Sequence, residues 1–161
     1  MNLQTLKATV ALRAFGWVRI PMIAWLQPTV VHVSDERLVV KLPLTWRSRN
    51  HLKSMYFGAL AVGADCACGL LAMQHVERHK RADIALLFKD FSAQFHRRPD
   101  GDVHFACEAG TEIRELVARA ARTGERCNLP VTVTAHVPSK SADPVATFVL
   151  TLSLKARGKL G

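Results

Sequence analysis

The stretch from Asn50 to Met73 constrains this chain more than any other. It reads N-H-L-K-S-M-Y-F-G-A-L-A-V-G-A-D-C-A-C-G-L-L-A-M, and after Lys53 its only charge is the carboxylate of Asp65. Residues 55–73 approach the length of a membrane span. An acid near the middle of such a run argues against a span, because that is the depth where a charge costs most. Gly58, Gly63, Gly69 and the alanines between them make the segment slim rather than greasy, and strand-like sequence follows it instead of a second span. No stable membrane span is expected. The run reads as a central helix, hydrophobic all round because it is buried on nearly every side. An ionised Asp65 inside it is costly unless something binds or uses it.

The surrounding sequence supplies what could bury such a helix. Residues 1–28 form an N-terminal helical segment in which Leu3, Leu6, Val10 and Ala14 share one stripe, broken at Pro21 and Pro28. That stripe is expected to cover the core, with a basic membrane-surface helix as the alternative because Lys7, Arg13 and Arg19 interrupt it. Val30 to Trp46 alternates around Asp35-Glu36-Arg37 and reads as a hairpin. The loop after it is polar and basic, with Ser54 or Asn50 as the expected cap of the central helix. His75 to Asp83 reads as a charged connector. Ile84 to His96 and Val103 to Glu108 read as strands around a turn at Arg97-Arg98-Pro99-Asp100-Gly101. Thr111 to Thr123 has helical spacing and ends at Gly124. Leu129 to Val137 and Val145 to Ala156 read as a closing hairpin, and 157–161 as a basic tail. The 161 residues suit one domain, with its core at 29–156. The pattern predicts an α+β architecture, an antiparallel sheet wrapped around one long helix.

The net charge of +9 implies attraction to something anionic, whether nucleic acid, an acidic membrane surface or a phosphate-bearing ligand. Nucleic acid is disfavoured: no basic stripe interleaved with aromatics is read, since the chain has one tyrosine and its seven phenylalanines lie mostly in core-patterned segments. The four cysteines, at 66, 68, 107 and 127, have no zinc-ligand spacing and read as small buried residues in a reducing compartment. The seven histidines form no metal-binding pattern, and His96 and His104 are expected to be solvated. No G-x-S-x-G marks a serine hydrolase. The N-terminus has no clean apolar region with a small-residue cleavage site, so a cytoplasmic protein without a secretory leader is expected.

These features resemble the hotdog fold, and the helix resembles that of hotdog acyl-CoA thioesterases of the phenylacetate-pathway and 4-hydroxybenzoyl-CoA type, including a poorly characterised thioesterase-like branch. In those families an Asn or Gln precedes the helix and a His-Gly-Gly-like step opens it. An Asp or Glu follows about two helical turns later. Here Asn50 matches the loop amide, Tyr56-Phe57-Gly58 stands at the opening step and Asp65 at the acid. Phe95-His96-Arg97-Arg98-Pro99 looks like the family strand that ends in Arg-Pro before a turn. The family histidine and first glycine are replaced by Tyr56 and Phe57.

The resemblance implies a thioester hydrolase that works as a homodimer, or a dimer of dimers, on an acyl-CoA or acyl-carrier thioester, with no cofactor. The amides of Phe57 and Gly58 at a helix start would polarise the carbonyl. Asp65 would be general base or nucleophile, with Asn50 orienting water or carbonyl. Phe57 and Asp65 lie about 12 Å apart along a helix, too far to meet at one carbonyl carbon. If both act, they come from different protomers. Tyr56 and Ser54 are candidate substrate contacts. Lys89, Arg97, Arg98 and Lys140 could meet the phosphates of coenzyme A. The alternative is a non-catalytic module that binds an acyl thioester as a sensor or scaffold. A nucleic-acid-binding protein is the third reading.

Overall fold

The computed structural model describes residues 2–79 and 83–156. The elements run α1 (Leu3–Arg19), α2 (Pro21–Leu26), β1 (Thr29–Val33), β2 (Leu38–Leu42), α3 (Phe57–Arg78), β3 (Ile84–Phe95), β4 (Val103–Cys107), α4 (Gly110–Thr123), β5 (Cys127–His136) and β6 (Pro144–Ala156). The strands form one six-stranded sheet in the order β1-β2-β4-β5-β6-β3. Every neighbouring pair is antiparallel. This is the α+β arrangement predicted, a sheet packed against a central helix.

β2, β4, β5 and β6 bury side chains in the core beneath α3 and α4, whereas β1 and β3, at the sheet's edges, bury little beyond Val30 and Ile84. Phe105 and Phe148, both fully buried, form the floor beneath α3, each contributing about 1.5–3 kcal/mol by burial. Gly63 lets that floor come close: a Cβ there would lie 2.3 Å from the Phe105 ring. The far end of α3 is tied to the β1–β2 turn, where His75 Nε2 lies 2.9 Å from the carbonyl of Asp35 and Arg78 pairs with Asp35.

Three expectations are corrected. First, α3 runs to Arg78 rather than ending near Met73, so much of the expected connector is helix; His75 is buried against the turn, which extends the packed face. Residues 80–82 of that connector, and the basic tail at 157–161, lie outside the described residues. Second, α3 is not buried on nearly every side. Phe57, Gly58, Ala61, Val62, Asp65 and Gly69 fall on one stripe that is half-buried or exposed. Although α3 is long and apolar enough to span a membrane by length and composition, it is the core helix of the sheet.

Third, α1 is turned over. Its buried face is Thr5, Thr9, Leu12 and Gly16, while Leu3, Leu6 and Val10 of the predicted core stripe are exposed. The cause is the edge strand beside it. β1 ends the sheet, and the Val30 N–H donates 2.9 Å to Thr9 Oγ1. Arg13 Nε donates 2.9 Å to the Pro28 carbonyl. A strand edge needs hydrogen-bonding partners, so α1 presents hydroxyls to it. At its other end Gly16 meets α2 closely, with a Cβ position 2.7 Å from the Ala24 nitrogen.

Candidate functional site

The loop before α3 is built around Asn50. Its Oδ1 accepts from the N–H groups of Leu52 (2.9 Å) and Ser54 (3.2 Å) and from the Ser54 hydroxyl (3.2 Å). Lys53 completes the turn in the left-handed region at φ 61°, a conformation that the surrounding bonds must hold in place. Neither Asn50 nor Ser54 caps α3. The residue at the cap position is Tyr56, and no side chain bonds the first turn. Asn50 and Ser54 are consumed in shaping the loop, so the opening amides of α3, including Phe57 and Gly58, are left without a side-chain acceptor. The Asn50 carbonyl oxygen is committed, which leaves its amide group as the donor.

Arg98 fastens this loop to the segment after β3 by donating to the Leu52 carbonyl, and the Met55 N–H donates 2.9 Å to the Pro99 carbonyl. Between the two segments lies a cleft of about 650 Å³, lined by Asn50, Ser54, Tyr56, Phe57, Arg97 and Arg98 together with His51, Met55, Leu60, Phe95, His96 and Pro99. Six of the predicted site residues thus share one cleft, brought there by two segments distant in sequence. The Tyr56 ring covers Gly58, where a Cβ would lie 2.6 Å from it, and packs 4.7 Å from the Phe57 ring.

The two arginines differ. Arg97 pairs with Asp143 at 2.6 Å, and that guanidinium holds the Asp143 carboxyl below its ordinary value. Arg98 meets a carbonyl instead, so its charge remains for an anion. His96 is exposed, as expected, and also lines the cleft, with Nε2 2.9 Å from Thr147 Oγ1. Its place beside the Arg-Arg turn was the available signal. Lys89 is not in the cleft; it lies mid-strand on β3, at the register shift between Phe88 and Phe91. Lys140 pairs with Asp100.

Asp65 also stands apart from the cleft. It lies in the middle of the open stripe of α3, with Oδ1 3.7 Å from the Cβ position of Gly69, a position the Phe88 ring approaches to 3.8 Å. Gly69 thereby gives the carboxylate room one turn along. Burial raises the Asp65 carboxyl above its ordinary value. The four cysteines are free and buried. Burial pushes the Cys66 thiol up, with the Asp65 charge adding to it. A hydrogen bond to the Cys107 sulfur, then burial, does the same at Cys68. Cys107, on the other side of that hydrogen bond, is held below its ordinary value by it; all four side chains are packed in the core. A smaller groove of about 320 Å³ between α4 and β4–β5 contains Glu108 and Glu112, but Glu108 is paired with Arg37 at 2.9 Å.

Residues 9–154 match the protein family described as a domain of unknown function (DUF4442). The chain belongs to this family. No curated protein matches it by sequence. Among solved structures, this DUF4442 protein is similar to one from Shewanella oneidensis that carries a provisional thioesterase name, at 14% identity and a TM-score of 0.77, covering 94% of this chain and 99% of that one. A Pseudomonas aeruginosa protein of unknown function, provisionally a thioesterase, aligns at 19% identity and a TM-score of 0.76, covering 92% and 96%. A thioesterase family protein from Silicibacter pomeroyi aligns at 18% identity and 0.67, covering 92% and 99%. At these identities the likeness shows the fold alone, the hotdog arrangement of an antiparallel sheet packed against a central helix.

Proposed function

We propose that this protein hydrolyses an acyl-CoA or acyl-carrier thioester at a site shared by two copies. The observation that carries the reading is the cleft at the uncapped start of α3, where backbone amides, the Asn50 amide and the Arg98 charge converge. The second supporting feature is Asp65, which has no hydrogen-bond or ion-pair partner among the described residues and lies on an uncovered stripe. That stripe adjoins β3, an edge strand paired on one side only, whose Leu87, Phe91 and Phe95 are exposed. Pairing two copies along this edge would cover it and supply a second α3.

In this reading the thioester carbonyl oxygen accepts from the Phe57 and Gly58 amides of one copy. Asp65 of the other removes a proton from water as the water oxygen attacks the carbonyl carbon. The tetrahedral intermediate collapses by breaking the C–S bond, and Asp65 returns its proton to the departing thiolate. A raised carboxyl pKa makes a stronger base than an ordinary aspartate. The cleft walls, Phe95, Leu60 and Met55, suit an acyl chain, and Arg98 suits a phosphate of the carrier.

One observation favours a second reading, a module that binds the thioester without cleaving it. The Tyr56 and Phe57 rings crowd the amides that would hold the oxyanion. A thiol-release assay over a panel of acyl-CoAs separates the two. Turnover by the wild type that falls about 10²–10⁴-fold in Asp65→Ala supports hydrolysis. Tight binding of the same thioesters without thiol release establishes the second reading, and unchanged turnover in Asp65→Ala removes Asp65 from the mechanism.

A further inference from the structure

The inverted orientation of α1 leaves a surface that the cleft does not explain. Trp17 and Val18 at the end of α1 are 75% and 77% exposed, and Leu3 and Val10 exceed half exposure along the same helix. Beyond α1, Met22 and Trp25 on α2 and Trp46 in the loop after β2 are also exposed. Every tryptophan of the chain is therefore exposed in the N-terminal helices or the loop beside them. Trp25 and Trp46 meet edge to face at 5.3 Å, and the Arg47 guanidinium lies 5.0 and 5.4 Å from their ring centres. A soluble surface ordinarily scatters such residues singly.

The charges around them are of one sign. Residues 2–34 contain Lys7, Arg13 and Arg19 and no acid; residues 43–56 contain Arg47, Arg49 and Lys53 and no acid. The ion pairs of the described residues lie elsewhere, and Asp102, which reaches the Leu44 N–H, is paired with Lys41. Large exposed apolar side chains and tryptophans beside cations that have no acidic partner among the described residues are the chemistry of a surface lying in a lipid headgroup layer. Nucleic acid would use the cations but gives no reason to expose Leu3, Val10 and Val18.

We infer that α1, α2 and the Trp46 loop dock this protein onto an anionic phospholipid surface. The helices would lie in the interface plane, with tryptophan rings at headgroup depth and Lys7, Arg19 and Arg47 against lipid phosphates. Arg47 lies in the loop that also lines the cleft through Asn50 and Ser54, so docking would bring the cleft mouth close to the lipid. The inference does not depend on hydrolysis: vesicle binding reads this face and thiol release reads the cleft.

The test is sedimentation of the full chain with phosphatidylcholine–phosphatidylglycerol vesicles and with phosphatidylcholine alone, with tryptophan emission recorded in parallel. The expected result is binding to the mixed vesicles with a blue shift, weakened by salt and by omission of the anionic lipid. The double variant Val10→Gln/Trp17→Gln and the charge reversal Lys7→Glu/Arg19→Glu should each weaken binding about tenfold or more. Both alter exposed positions, so circular dichroism and thiol release should match the wild type. Absence of binding to mixed vesicles overturns the inference, as does equal binding by both variants. A drop in oligomeric state caused by Val10→Gln/Trp17→Gln also overturns it, by showing that a second copy covers this face.

Discussion

At the β1 edge of the sheet the chain covers itself; at the β3 edge it does not. β1 is short, and α1 lies along it with the Thr9 hydroxyl on the Val30 amide and Arg13 on the Pro28 carbonyl. β3 runs for 12 residues, has β6 on one side only, and exposes Leu87, Phe91 and Phe95. Natural sheets blunt or cover their edges. Closing the β1 edge from within required a helix with hydroxyls and a glycine facing inward, which pushed its large apolar residues outward. Leaving the β3 edge open keeps a long strand, and the Asp65 stripe of α3 beside it, free for another copy. Each edge thus produces a surface, and neither follows from burying apolar residues alone.

The comparison can be broken at either edge. The largest expected effect is at Gly16, where α1 meets α2. Gly16→Ala places a Cβ 2.7 Å from backbone and should cost about 2–3 kcal/mol of stability, read as a lower urea midpoint at unchanged slope. Next is Thr9→Val, which keeps the shape but orphans the Val30 amide. It should cost about 2 kcal/mol, and Thr9→Ser should recover most of it. At the other edge Leu87→Lys should leave the monomer's stability nearly unchanged and weaken self-association about tenfold, or about 1.4 kcal/mol, in sedimentation velocity. An equal loss of stability at both edges would remove the distinction between them.

The smallest effect concerns Asp65 itself. Burial raises its folded-state pKa above the ordinary 3.8, so folding favours the protonated form. Its ionisation costs nothing below the unfolded pKa; the cost grows as pH rises from there to the folded value and is constant above it. Asp65→Asn should therefore raise Tm at neutral pH, with the gain fading as pH falls toward 3.8. Hydrolysis by the wild type should fall as pH drops through the same raised pKa.

Much of the fold was legible in the residues. Alternation located all six strands within a few positions, Gly124 marked the end of α4 in the left-handed conformation it adopts, and the apolar run became the central helix. The orientation of α1 was not legible: periodicity places Leu3, Leu6 and Val10 on one stripe, but which stripe faces inward was decided by an unpaired strand edge. Within the site, the gathering of Asn50, Tyr56, Phe57, Arg97 and Arg98 followed from motif positions alone. The use of Asn50 and Ser54 on each other, rather than as a helix cap, depended on a turn closed by Lys53 and on Arg98 crossing from another segment. The separation of Asp65 from the cleft was expected from helix rise, and on the proposed mechanism it requires a second copy.

The central claim, that one site draws on two chains, is tested most directly by mixing two inactive variants. Asp65→Ala lacks the acid and Asn50→Ala lacks the cleft amide. Unfolded together and refolded, they should recover thiol release that neither shows alone, because a mixed pair contains one intact site. If the mixed pairs form, as tagged subunits can verify, and no activity returns, then both groups act within a single chain and the shared-site account is wrong.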